Sequence, residues 1–150
     1  MANWEVKIGM KRSLKWGALG VILGLFGVSQ AFAAAEDAIG TWKDTETGAI
    51  CSVFSCGGGI CIKVVRPAKE FAKDDNNPDP ALKGRSMAGV TIMTGASKSG
   101  ADRWTGKLYN GEDGGTYTGS IIVTSKDELK LQGCVLGGII CKSRIWHRAQ

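Results

Sequence analysis

Residues 103–134 read RWTGKLYNGEDGGTYTGSIIVTSKDELKLQGC, three short runs of alternating apolar and polar side chains parted by turn-forming residues. Trp104 and Leu108 share one face of the first run. Tyr117, Ile121 and Val123 share one face of the second, and Leu129 and Leu131 one face of the third. Thr105, Lys107, Thr118, Ser120, Lys130 and Gln132 fall on the opposite faces. A period of two is that of a strand with one buried and one wet side, which is the pattern of antiparallel sheet rather than helix.

The same rhythm extends in both directions. Short β-branched or aromatic runs at about 39–44, 49–56, 60–66, 88–94, 103–109, 115–124, 128–134 and 139–148 alternate with glycine-bearing turns, and Ile60, Ile62 and Val64 again share a face. Eight such strands with no long helical segment predict an all-β antiparallel barrel or sandwich, and the one-sided burial favours a closed or nearly closed barrel. At 150 residues the chain suffices for one domain with a real core.

The N-terminal part reads differently. Lys11, Arg12 and Lys15 precede an uncharged apolar run from Trp16 to Val28, and Ala31-Phe32-Ala33 is a small-x-small cleavage site. This reads as a signal peptide cleaved near Ala33 rather than an uncleaved anchor, with a better start at Met10 and residues 1–9 a mis-called start or non-structural. The exported domain is then 34–150, with no integral membrane span after cleavage and a periplasmic or secreted location. Residues 1–33 carry four of the 19 Lys and Arg and one of the 14 Asp and Glu, so the remainder has a net charge of only +2. Its basic residues are scattered, without the striped basic and aromatic pattern of a nucleic-acid binder.

All five cysteines, at 51, 56, 61, 134 and 141, lie in the exported part, where disulfides persist. Cys56 with Cys61 and Cys134 with Cys141 each flank a glycine-bearing hairpin turn, at a separation that cross-strand geometry can bridge. Two local staples are expected, with crossed pairing between the hairpins as the rival and Cys51 as a buried thiol. The gap between Cys134 and Cys141 exceeds the usual zinc-ligand spacing, and no Cys-x-x-Cys exists for redox work.

One stretch breaks the strand rhythm. Pro67 to Gly84 is charged and bears prolines around Asp74-Asp75-Asn76-Asn77-Pro78-Asp79-Pro80. Asp79 before Pro80 is placed to cap one helical turn through Ala81-Leu82-Lys83 to Gly84. Asp75, Asn77 and Asp79 imitate the start of a calcium loop, but Pro80 and Ser86 stand where its glycine and glutamate belong. The segment is expected to close one end of the barrel, as a long ordered loop often does.

The inventory of reactive groups favours binding over catalysis. The sole histidine, His147, lies between Trp146 and Arg148 in the last strand with no nucleophile motif elsewhere. The pairs Asp74-Asp75 and Glu112-Asp113 sit where turns account for them. No phosphate-cradling loop, metal set or cofactor motif is present.

Two segments join the chain ends. Ile39-Gly40-Thr41-Trp42 opens the first strand and Arg144-Ile145-Trp146-His147-Arg148 closes the last, so a tryptophan against an arginine across the closing seam is expected. Gly-x-Trp near the start with a late arginine also resembles the lipocalin and fatty-acid-binding superfamily. The order Ile39 to Trp42, Cys56-Gly57-Gly58 to Cys61, Asn76 to Pro80 with Gly84-Arg85, Gly106 to Tyr109, Asp113 to Tyr117, Gly133-Cys134 and Trp146 to Arg148 resembles the domain-of-unknown-function 2147 family over residues 39–148. Asn110-Gly111-Glu112-Asp113 stands where that family would have an aspartate-proline, and Cys51 is extra. The resemblance implies a small secreted bacterial protein with a lipocalin-like β-barrel and no assigned catalytic residue. The expected function is binding of a small apolar ligand, a lipid or envelope metabolite. Trp104, Leu108 and Tyr117 are its interior candidates, with Asn77 and Arg85 at the mouth. The alternative is a filled barrel acting as a structural or protein-interaction module, marked by an apolar patch beside Phe71 and Leu82.

Overall fold

The computed structural model describes residues 33–150. The signal-peptide reading lies, but for Ala33, outside the described residues. Eight antiparallel strands follow one another around a closed barrel: β1 (Gly40–Asp44), β2 (Ile50–Cys56), β3 (Gly59–Arg66), β4 (Thr91–Lys98), β5 (Arg103–Asn110), β6 (Gly115–Ser125), β7 (Glu128–Val135) and β8 (Ile140–Arg148). Each strand pairs with the next, and β8 returns to β1 through Trp42 opposite Arg148 and Asp44 opposite Trp146. Every strand is paired on both sides, although Ile140 to Arg144 of β8 extend past the end of β1 without a partner there. Among the described residues no helix is long and apolar enough to cross a membrane.

The alternation read from the sequence sets the inside. Ile60, Ile62, Ile121, Val123 and Leu129 are all but inaccessible, and they meet Trp42, Val53 and Met93 in one cluster. Strand β4 is the main departure: it runs 91–98 rather than 88–94. Residues 88–90 belong to the preceding loop, whose Gly89 N–H and Val90 carbonyl bond Val64 across from it. The strand then continues through Gly95 at φ +61, where the pairing with β5 shifts register. Only glycine takes that backbone without strain, so a residue that reads as a strand stop is here a bulge.

One end of the barrel is sealed. The 3-10 turn Ala35–Ala38 sits against it, with Ala35 and Ala38 fully buried. The indole N–H of Trp42 donates to Ala38 O at 2.8 Å, that of Trp104 to Ala35 O at 2.7 Å, and Ala34 N–H to Asp37 Oδ2 at 3.0 Å. Arg148 lies 4.2 Å from the Trp42 ring centre and donates to the carbonyls of Asp37, Ile39 and Lys126. The expected tryptophan–arginine seam is thus present, and it also ties the first turn to the last strand. Cys56 bonds Cys61 at this end, two residues off direct pairing because Cys56 faces Gly59 and Cys61 faces Phe54.

Candidate functional site

The opposite end is open. A cavity of about 500 Å³ enters the barrel between the β1–β2 and β5–β6 turns, the ends of β7 and β8, and the long loop. Its lower wall is apolar, formed by Val64, Leu108, Leu131 and Trp146, with Phe71 and Met87 contributed by the loop. The cavity is within the size range of small-molecule sites, and walls of this kind with a few placed polar groups are the usual make-up of such sites.

The polar groups gather at the rim. Arg144 is largely shielded and reaches three carboxylates: Glu112 at 2.7 Å, Glu46 at 2.9 Å and Asp44 at 3.8 Å. Asp44, nearly buried, also accepts the Trp146 indole N–H at 3.3 Å and the backbone N–H groups of Glu46 and Thr47, which fixes the β1–β2 turn. Lys142 stands 3.9 Å from Glu112 with its side chain largely in solvent. Tyr117 donates to Asp113 at 2.6 Å across the β5–β6 turn. The free cysteine, Cys51, is buried and lines the cavity. Burial, with Asp44 adding to it, pushes its thiol up to about 12. It therefore stays protonated at neutral pH and serves as apolar wall rather than nucleophile.

The loop that closes over one side is held by a single carboxylate. Asp74, fully buried, accepts hydrogen bonds from the Tyr109 hydroxyl, Asn77 Nδ2 at 2.7 Å and Arg85 Nε at 2.9 Å. Its main-chain N–H and carbonyl bond Arg85 O and Gly84 N. Burial alone would raise the Asp74 carboxyl, but these three donors outweigh it and hold it below its ordinary value. Burial and the bond to Asp74 push the Tyr109 phenol up to about 12. Asp79 caps the expected single turn, accepting Ala81 N–H on its side chain and Leu82 and Lys83 N–H on its carbonyl.

The structure divides the expected ligand residues. Leu108 and Tyr117 line the cavity, facing one another across β5 and β6. Trp104 does not. It lies on the same face as Leu108 but four residues nearer the sealed end, about 13 Å at strand rise, bonded to Ala35. Asn77 and Arg85 are not at the mouth either, because both turn inward to satisfy Asp74. His147 is exposed on the flank, 3.5 Å from Glu128 and away from the cavity. Glu112 does more than form a turn, since it pairs with Arg144. Arg144 and Lys142 were legible in principle, for they share the parity of the inward Trp146. Among the described residues no group of three or more His, Cys, Asp or Glu is placed to hold a metal. Cys134 bonds Cys141 directly across the β7–β8 ladder.

Comparison with known proteins adds to this geometry. The family model DUF2147, described as "Uncharacterized protein conserved in bacteria", matches residues 40–148. A solved protein from the human pathogen Helicobacter pylori, described as belonging to the lipocalin family, is similar in fold: TM-score 0.66 at 24% identity, covering 75% of this chain and 83% of that one. No curated protein matches the sequence.

Proposed function

From a chain that belongs to the DUF2147 family of bacterial proteins and folds as a lipocalin-like barrel, we propose a binding protein that takes a small, largely apolar ligand into the open end. The observation that carries this reading is the cavity of about 500 Å³, apolar below and charged at the rim. Such a site suits a molecule with a hydrocarbon body and a polar end, as a lipid or envelope metabolite has. The body lies on Leu108, Leu131, Trp146 and Phe71, and the polar end meets Arg144, Lys142, Glu112 and the Tyr117 hydroxyl. Leu108 and Tyr117 are retained as ligand residues, while Arg144, Lys142 and Glu112 replace Asn77 and Arg85 at the mouth. The protein works outside the cytoplasm after cleavage near Ala33, a reading supported by its two disulfides. Binding here needs no catalytic group.

Native mass spectrometry of the protein purified from its own host without detergent, followed by organic extraction, tests the proposal. A reproducible adduct that passes into the organic phase is expected. A bare chain mass would favour the rival reading, in which the barrel is a scaffold for protein contacts. Gly133 provides a block: it lines the cavity, and a Cβ there meets nothing nearer than Tyr117 at 3.6 Å. Gly133→Leu should fold and lose the adduct.

A further inference from the structure

The hairpin joining β7 to β8 ends in a tip that nothing in the described chain covers. Val135, Leu136, Ile139 and Ile140 are 37%, 68%, 83% and 58% exposed. Between Cys134 and Cys141 there is no charged or hydrogen-bonding side chain. Isolated exposed apolar residues are ordinary, but four within six consecutive positions form a patch. The tip is held rather than free to fold back: the Cys134–Cys141 bond clamps its base, and Leu136, Gly137 and Gly138 reverse the chain at φ +52, +68 and +96. A leucine occupies a left-handed position that glycine or asparagine would fill with less strain.

Register places this finger relative to the mouth. β7 and β8 pair Leu131 with Arg144, Gly133 with Lys142 and Val135 with Ile140. Residues two apart share a face, so the face that forms the cavity wall at Leu131, Gly133, Lys142 and Arg144 runs past the rim into Val135 and Ile140. Lys142 lies about 7 Å along the strand from Ile140. Its side chain is 73% exposed, and the nearby Glu112 is already bonded to Arg144.

We propose that the tip is a membrane-docking finger, which sinks Leu136, Ile139 and Ile140 into the surface of a lipid bilayer and sets Lys142 at the level of the lipid phosphates. The spacing fits, because interfacial apolar groups sink roughly 5–10 Å into the headgroup–acyl boundary and a cation about that far above them is attracted to anionic lipid. A protein partner fits less well. The tip offers a few hundred Å², short of the ~800 Å² that each side gives to a stable protein interface, and it has no aromatic or polar group to orient a partner. Docking in this way brings the cavity mouth to the bilayer, yet it stands whether or not the cavity holds a ligand.

The test uses the full chain with vesicles of phosphatidylcholine, alone or with phosphatidylglycerol, and a reporter local to the tip, so that the apolar run 16–28 does not enter it. The emission that Ile139→Trp adds over wild type should shift to the blue and be quenched by acyl-brominated lipid. That added by Val65→Trp, on the exposed flank, should stay solvent-like. In the Ile139→Trp background, Leu136→Ser should weaken the quenching roughly tenfold, and Lys142→Gln should weaken it about fivefold on anionic vesicles only. All these positions are exposed, and unchanged circular dichroism confirms folding. Solvent-like, unquenched emission from Ile139→Trp overturns the proposal. So does tip-dependent self-association without vesicles, which would assign the finger to a second copy of the chain. Quenching indifferent to Lys142 and to lipid charge overturns the place given to Lys142.

Discussion

The two ends of the barrel are built from the same strands and treated in opposite ways. At the sealed end the inward side chains are large and apolar, the 3-10 turn Ala35–Ala38 covers them, and each indole N–H has a carbonyl partner. At the open end the inward positions fall to Gly133, Lys142 and Arg144, and about 500 Å³ stays unfilled. A barrel of eight strands is just wide enough for side chains to fill it or for one small ligand to enter. Here each outcome occupies one half: Gly133 leaves room at the open end, where Lys142 and Arg144 turn to the rim carboxylates instead of filling the interior.

The largest test of that contrast is at the sealed end. Trp42→Ala removes a fully buried ring, the donor to Ala38 and the surface on which Arg148 rests; about 3–5 kcal/mol should be lost in urea unfolding. A loss near 1 kcal/mol would mean the seal is not what holds the barrel shut. A matched pair of leucines comes next. Leu129→Ala, inside the filled cluster, should cost about 3 kcal/mol. Leu108 belongs to the same cluster but also borders the cavity, so part of the space that Leu108→Ala leaves already exists and the loss should be smaller, about 1–2 kcal/mol. Equal costs would show that the two halves are packed alike.

The loop latch gives a smaller and pH-dependent effect. Asp74→Asn keeps the shape but removes the charge that Arg85 and Tyr109 serve, and should cost about 1–2 kcal/mol at neutral pH. Because the folded Asp74 carboxyl titrates below its unfolded value of ~3.9, its contribution is complete above about pH 4 and disappears as pH falls through the lower folded value. The gap between wild type and variant should therefore narrow progressively as the pH falls below about 4. Two other carboxyls share that window in both proteins: Glu36, held low by Lys98, and Asp113, where burial pulls upward but the Tyr117 hydroxyl and the Gly115 N–H outweigh it. A gap that does not narrow at all as the pH falls below about 4 would refute the latch as a charge effect. Smallest of all, Gly133→Leu should change stability by no more than about 0.5 kcal/mol while abolishing ligand uptake. A large stability change would show that the open half has less room than its outline.

Face and order were readable along the chain; height and partner were not. The period of two at 103–134 places Trp104 and Leu108 on one inward face, and so they stand, yet periodicity carries no information on which end of the barrel a residue reaches. That is how Trp104 came to be expected beside a ligand and is found beneath the seal. Asn77 and Arg85 stand in a polar loop that reads as solvated, whereas a buried Asp74 must be satisfied and draws both inward. The two staples and the Trp42–Arg148 seam were legible because hairpin turns and chain ends fix their geometry locally. The cluster around Arg144 joins β1, the β5–β6 turn and β8, and needed the register of the whole barrel.

One bond at the seal bears on the proposed cleavage after Ala33. Ala34 N–H meets the Asp37 carboxylate at 3.0 Å. Cleavage after Ala33 would turn that amide into an α-ammonium, with an ordinary pKa near 7.7–8.0, directly against a carboxylate. A neutral hydrogen bond would become an ion pair on the very turn that caps the barrel, of the modest strength such surface pairs have, about 0.2–1 kcal/mol. If the proposed cleavage occurs, it would also tighten the cap, and the processed form would hold its first turn more firmly than the uncleaved chain.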